Sequence, residues 1–261
     1  MILVTGGAGF IGSAIVKELN TQGREDILII DCLDESPKWQ NLRSLKYENY
    51  LHADELFSDE RGDLLNRITE IFHMGACSTT TEKDMNFLFK NNIHFSQKLC
   101  ELAVEKEIPF YYASSAATYG LGEQGYSDAH DSIDLLRPLN PYGYSKQYFD
   151  QWILSRNKRP AKWYGFKFFN VFGPNEYHKG SQRKVVHQAF EQIRDSGSVR
   201  LFKSYRDDFE DGEQVRDFVY VIDCVNAIMQ LRKKNGENGI YNIGTAKARS
   251  FLDLAKAVFN A

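Results

Sequence analysis

Immediately after Met1 the apolar run Ile2-Leu3-Val4-Thr5 breaks into Gly6-Gly7-Ala8-Gly9-Phe10-Ile11-Gly12, and an amphipathic stretch follows. Gly6, Gly9 and Gly12 at this spacing allow a tight turn, a close backbone approach to a ligand and a helix packed hard on a strand. A helix opening from such a turn offers backbone N–H groups and the positive end of its dipole, which together bind a pyrophosphate. A second apolar run, Ile27-Leu28-Ile29-Ile30, ends in Asp31. That is the distance, about twenty residues, at which an acidic side chain meets a ribose in dinucleotide sites. Few chains can begin this way without folding as a strand–helix–strand unit.

The rhythm continues. Apolar runs at 71–73, 110–113 and 163–169 read as strands, and helical patterns cover 10–20, about 91–107 and 142–156. Unbroken apolar strands alternating with helices predict an α/β fold, a doubly wound parallel sheet covered on both faces. We expect a Rossmann-like dinucleotide-binding domain over 1–169, with contributions from about 216–244. A smaller C-terminal substrate lobe is expected over 170–261. Within it the patterns predict a loop at 170–181, a helix near 184–195, short strands at 199–203 and 218–221, a helix over 224–232 and a strand at 239–244. The acidic run at 207–213 reads as a solvated loop. Ser250 is placed to cap a final helix over 251–259. Its Leu252, Leu254, Ala255 and Val258 need a surface to pack on, and the lobe reads as incomplete at the C-terminus.

Other classes drop out. With 261 residues and 43% hydrophobic content the chain can build a core without disulfides. Cys32, Cys77, Cys100 and Cys224 are scattered without metal-ligand spacing, so reduced thiols and no metal are expected. A net charge of −3 argues against nucleic-acid binding. No run approaches the roughly 18 apolar residues of a membrane span, and no leader is expected before Ile2. A cytoplasmic location is expected.

Tyr142 and Lys146 are spaced i, i+4 on a helix that opens at Pro141, so they share a face. A phenol titrating near 10 is a poor base at neutral pH. A neighbouring ammonium and an oxidised nicotinamide would both favour the phenolate. Ser114-Ser115, ending the strand before this helix, offers a hydroxyl to the same place. For the cofactor, Asp31 favours a free ribose hydroxyl and hence NAD, whereas Lys38 could neutralise the extra phosphate of NADP. The residues leave both open.

These motifs resemble the extended short-chain dehydrogenase/reductase family that acts on nucleotide sugars. In that family the Tyr is the acid/base, the Lys anchors the nicotinamide ribose and the Ser holds the reacting oxygen. Its dehydratases carry Thr-Asp-Glu where this chain has Ser115-Ala116-Ala117, so the acid and base for eliminating water are missing. Longer segments narrow the resemblance: 73–82 (HMGACSTTTE), 112–120 (YASSAATYG) and 169–181 (FNVFGPNEYHKGS). They are similar to the epimerases that invert C6 of an ADP-heptose for the lipopolysaccharide inner core.

That resemblance implies NADP and a homo-oligomer, a pentamer. It implies cofactor contacts from Gly6, Gly9, Phe10, Ile11, Gly12, Asp31, Cys32, Lys38, Met74, Gly75, Ala76, Cys77, Ser78, Asn91, Lys146 and Val171. It makes Tyr142 and Lys179 the two acid/base residues, assisted by Ser115. It gives the ADP-sugar to Asn170, Ser181, Phe202, Lys203, Ser204, Tyr205 and Arg216.

The chain departs from the pattern where relatives have a cofactor-contacting lysine; it reads Leu51-His52-Ala53-Asp54 there. The run at 207–213 lengthens a loop, and family members extend some fifty residues further. Another nucleotide-sugar epimerase or reductase, or an inactive dinucleotide-binding homologue, remains the alternative. An intact Tyr142 and Lys146 argue against the inactive one.

Overall fold

In a computed structural model, residues 1–178, 185–205, 207–208, 210–234 and 236–261 are described. The strands are β1 (Ile2–Thr5), β2 (Ile27–Asp31), β3 (Asn49–His52), β4 (Glu70–His73), β5 (Phe110–Ser115), β6 (Trp163–Phe168), β7 (Asn170–Phe172), β8 (Val215–Tyr220), β9 (Gly239–Ile243) and β10 (Ala248–Ser250). The helices are α1 (Phe10–Thr21), α2 (Gly62–Asn66), α3 (Met85–Leu88), α4 (Phe95–Glu105), α5 (Pro141–Ser155), α6 (Val185–Ser196), α7 (Val221–Lys233) and α8 (Phe251–Phe259).

Seven strands form one parallel sheet in the order β3-β2-β1-β4-β5-β6-β9. The order reverses between β1 and β4, where doubly wound sheets bind their ligands at the carboxyl ends of the strands. The two-residue period of the strands divides the core. Ile2, Val4, Ile27 and Ile29 pack with α1 and α7 on one face, while Leu3, Leu28, Ile30 and Ile71 pack with α4 and α5 on the other. Truncating any such fully buried aliphatic side chain to alanine costs about 2–5 kcal/mol. Among the described residues no helix is long and apolar enough to cross a membrane, and the four cysteines are free thiols.

A second, three-stranded sheet runs β10-β8-β7. The expected loop after residue 169 therefore begins as a strand, because Asn170 to Phe172 find a parallel partner in Phe218 to Tyr220. The expected strand at 199–203 does not form. Its backbone is taken up locally: Arg200 N–H donates to Gln192 Oε1, and Phe202 C=O accepts from Gly212 N–H at 2.9 Å. The helix expected from about residue 91 starts earlier, as α3, and reaches α4 through a π-helical turn at Phe89–His94. Ser250 caps α8 as expected, its Oγ accepting from Asp253 N–H at 3.1 Å. Phe251, Leu254 and Ala255 are buried, whereas Leu252 and Val258 are half-covered and Phe259 is exposed. The run at 207–213 forms no strand or helix among its described residues, which are mostly exposed.

Candidate active site

The glycine turn sits between β1 and α1. Gly6 has φ +65°, and a side chain there would place its Cβ 2.7 Å from the Cα of Gly75 in the segment after β4. A Cβ on Gly12 would collide with the carbonyl oxygen of Gly6. The turn is thus a cradle that any side chain would fill, and no side chain caps α1 at Gly9. These features fit a dinucleotide pyrophosphate.

Asp31 organises the edge of the cradle. Its carboxylate accepts from Ala8 N–H (2.9 Å), Cys32 N–H (2.8 Å) and the Lys38 ammonium (2.7 Å). Lys38 is therefore held against Asp31 at the place where a ribose would lie. Asn41, which sequence reasoning missed, joins this edge to the segment before Lys179. Its amide donates to Ala8 O (2.9 Å) and Asn175 O (3.0 Å) and lies 3.4 Å from His178 Nδ1. Asn175 in turn donates to Ser13 Oγ.

β5 ends in Ser114 and Ser115, which the strand period sends in different directions. Ser115 Oγ accepts from Ala117 N–H at 3.1 Å and its hydroxyl acts on the Tyr142 phenol at the start of α5, whereas Ser114 donates to Asp150 at 2.6 Å. Only one of the two serines thus reaches the candidate base. Asn140 caps α5 through Gly143 N–H, and Pro141 opens it, which fixes where Tyr142 emerges. Burial pushes the Tyr142 phenol above its ordinary value near 10, and the Ser115 hydroxyl pulls against that rise. Lys146 is 6% exposed and donates to Ala113 O at 2.9 Å. Burial holds its ammonium down to about 8, with Asp150 opposing the drop.

A buried polar chain lies beneath these groups. Gly75 N–H donates to Thr5 Oγ1, which pairs with His73 Nδ1 at 2.7 Å. His73 Nε2 pairs with Ser96 Oγ at 2.7 Å, and Ser96 donates to the Asn92 carbonyl. With the Ser96 proton committed there, Nε2 must be the donating nitrogen of a neutral imidazole. Burial drives the His73 value down to about 3, and the nearby Lys146 charge adds to the drop. Asn92 sits in the π-helical turn and grips Cys77 at both backbone groups (2.8 and 3.0 Å) while donating to Ser145 Oγ.

Met74, Gly75, Ala76 and Cys77 are half-buried in the segment after β4, and Ser78 is exposed. Asn91 is half-buried and donates to Phe87 O. Of the expected cofactor residues on α1, Phe10 is buried and Ile11 half-buried; the Val171 side chain belongs to the core. Nearer the C-terminus, Phe202 and Arg216 converge on Phe251, with ring centroids 4.9 Å apart and the guanidinium 5.9 Å from the ring. Asn170 is half-buried, Ser204 is half-buried, and Lys203 and Tyr205 are exposed. Lys179 and Ser181 lie outside the described residues. No cluster with metal-ligand character occurs among the described residues.

A sequence profile of the NAD dependent epimerase/dehydratase family matches residues 2–244. An ADP-L-glycero-D-manno-heptose-6-epimerase from Nitratidesulfovibrio vulgaris is 51% identical over 263 residues, spanning 100% of this chain and 81% of that protein. The crystal structure of the Helicobacter pylori ADP-L-glycero-D-manno-heptose-6-epimerase superposes with a TM-score of 0.84 at 29% identity, covering 99% of this chain and 81% of that one. The UDP-glucuronic acid 4-epimerase of Bacillus cereus, in complex with UDP-glucuronic acid and NAD, gives a TM-score of 0.77 at 25% identity and covers 99% of this chain and 82% of its own.

Proposed function

The chain belongs to the NAD dependent epimerase/dehydratase family and is an epimerase, and we propose that it inverts C6 of ADP-D-glycero-D-manno-heptose with a bound NADP. The observation that carries this reading is the likeness, along the whole chain, to relatives of that name. Tyr142, with the Ser115 hydroxyl acting on its phenol, would supply the machinery it needs.

The cradle, Asp31 and Lys38 would hold the adenosine half and pyrophosphate, and Lys146 the nicotinamide ribose. NADP rather than NAD is favoured because the Lys38 ammonium lies where an added phosphate would need a cation. When bound, the cofactor supplies reversible hydride acceptance at one face of the sugar.

Tyr142 takes the C6 hydroxyl proton as the C6 hydride leaves, giving a C6 ketone, and Ser115 holds the reacting oxygen. The ketone must then turn, because hydride has to return to its other face. Its oxygen now meets a different donor, and by resemblance Lys179 returns the proton. Net oxidation is zero. Phe202, Arg216 and the neighbouring lobe residues would hold the ADP, Arg216 through its two-pronged guanidinium. The absence of a carboxyl side chain at Ser115, Ala116 and Ala117 leaves no acid for eliminating water, so this reading departs from the family's dehydratases. A homo-oligomer in the cytoplasm is part of the same proposal.

Proton NMR of ADP-D-glycero-D-manno-heptose before and after incubation tests the reaction; an unchanged spectrum with cofactor-loaded protein overturns it. Mass measurement of the dinucleotide released by denaturation tests the cofactor, and a stoichiometric yield of NAD overturns that choice.

A further inference from the structure

Behind the site lies an ion pair shut off from solvent. Lys167 on β6 and Asp150 on α5 are both 0% exposed, with Nζ 3.0 Å from Oδ2. Asp150 also accepts from Tyr112 Oη (2.9 Å) and Ser114 Oγ (2.6 Å), and Lys167 donates to Thr118 Oγ1 (2.6 Å). Thr118 in turn donates to the carbonyl of Ser115. The backbone makes room for this cluster: Gly165 on β6 lies under the Tyr112 ring, and a Cβ there would strike it. Five side chains from β5, β6, α5 and the turn after β5 thus meet here, two of them of opposite charge. Desolvating such a pair is costly, and apolar residues would fill the same space at no loss of stability. Its place in the fold suggests what it does. Asp150 is one turn along α5 from Lys146, and its two hydroxyl partners are on the strand that carries Ser115.

The geometry points to Asp150 as a positioning residue for the epimerase reaction: held by Lys167, Tyr112 and Ser114, it locks the Ser115 strand to α5 and presents a negative charge to the Lys146 ammonium. The inference rests on the reading of Tyr142 and Lys146 as active-site residues. The groups that act on Lys146 are Asp150 from its own helix, Cys77 from the segment after β4 and His73 from β4, with Lys167 behind Asp150 and Tyr142 one helical turn before Lys146. His73 is neutral, and of the two groups that oppose the desolvation of the ammonium Asp150 acts more strongly than Cys77. Without it the ammonium loses its proton more readily, and with that proton goes the positive charge one helical turn from Tyr142.

The test is a titration of Lys146 itself, which needs neither substrate nor turnover. In protein carrying ε-13C lysine, with the Lys146 signal assigned by its loss in Lys146→Arg, the parent signal titrates near pH 8. In Asp150→Asn the midpoint falls by about one pH unit. Asp150→Asn leaves Lys167 unpaired and is the variant most at risk of misfolding. The double variant Asp150→Asn with Lys167→Gln buries no charge, and its Lys146 midpoint falls as well. Lys167→Met alone keeps the carboxylate, and its midpoint does not fall. Epimerisation follows the same order: in the double variant kcat/KM drops about fivefold at pH 8 and little at pH 6, whereas a packing defect lowers it equally at both. A Lys146 signal titrating at the parent pH in the double variant overturns the proposal. Were ADP-heptose not the substrate, the NMR titration would stand unchanged, so the two readings fail separately.

Discussion

The Lys38 ammonium and the Asp31 carboxylate lie 2.7 Å apart at the end of β2, with the same carboxylate gripping the backbone of the glycine turn at Ala8. One residue that taken alone favours NAD thus holds in place the cation that NADP needs. Lys38→Ala removes the cation and frees Asp31 to meet a ribose hydroxyl or repel a phosphate. NADP affinity should fall at least tenfold, the worth of one charged hydrogen bond, while NAD affinity falls less. Dissociation constants for both dinucleotides, measured by calorimetry on stripped protein, check this; an unchanged ratio would show that Lys38 does not read the phosphate.

Tyr142→Phe removes the proposed proton acceptor without touching the glycine turn, so epimerisation should drop by about 10²–10⁴-fold with dinucleotide still bound. Lys179→Met should do the same if two residues share the proton traffic. NMR turnover assays beside dinucleotide content give the answer. Parent-rate epimerisation by Lys179→Met would leave Tyr142 to serve both faces.

His73 links acid stability to the site. Its folded value, near 3, lies below the ordinary 6.5, so between these the unfolded chain binds a proton that the native protein does not. Native stability is therefore complete above pH 6.5 and falls as pH drops toward 3, by up to about 1.4 kcal/mol per unit. His73→Gln should be less stable at pH 7 but should show a shallower fall between pH 7 and 5. Urea midpoints at several pH values report the slope, and parallel slopes would assign the acid lability elsewhere.

Gly12→Ala pushes a methyl group into the Gly6 carbonyl. Either α1 or the turn must shift, at about 1–3 kcal/mol, and the displaced N–H groups should lose most dinucleotide affinity. Thermal melts with and without NADP measure both effects. A variant that is stabilised by NADP as strongly as the parent is would mean that the turn adapts freely.

Much of the fold was legible because long apolar strands alternating with helices admit few arrangements. The turn at Gly6 to Gly12, Asp31, Tyr142 and Lys146 declared themselves through spacing that is local to one strand, one turn or one helix. The short strands β7 and β10 did not, since three residues carry no pattern and depend on β8 for their hydrogen bonds. The run at 199–203 misled for the converse reason: its composition suits a strand, but Gln192 and Gly212 take backbone groups that a ladder would use.

The chain by itself determined the parallel sheet, the glycine turn and the placing of Tyr142 and Lys146 one turn apart on α5, because backbone sterics and helical or strand periods act over a few residues. Tertiary structure alone decided that Ser115 and not Ser114 meets Tyr142, that Asn92 clamps Cys77 to α5, and that Asp150 pairs with Lys167. Those choices join groups distant in sequence, and burial is what enforces them. A polar atom removed from water must find a partner across the fold, and no local pattern names which one.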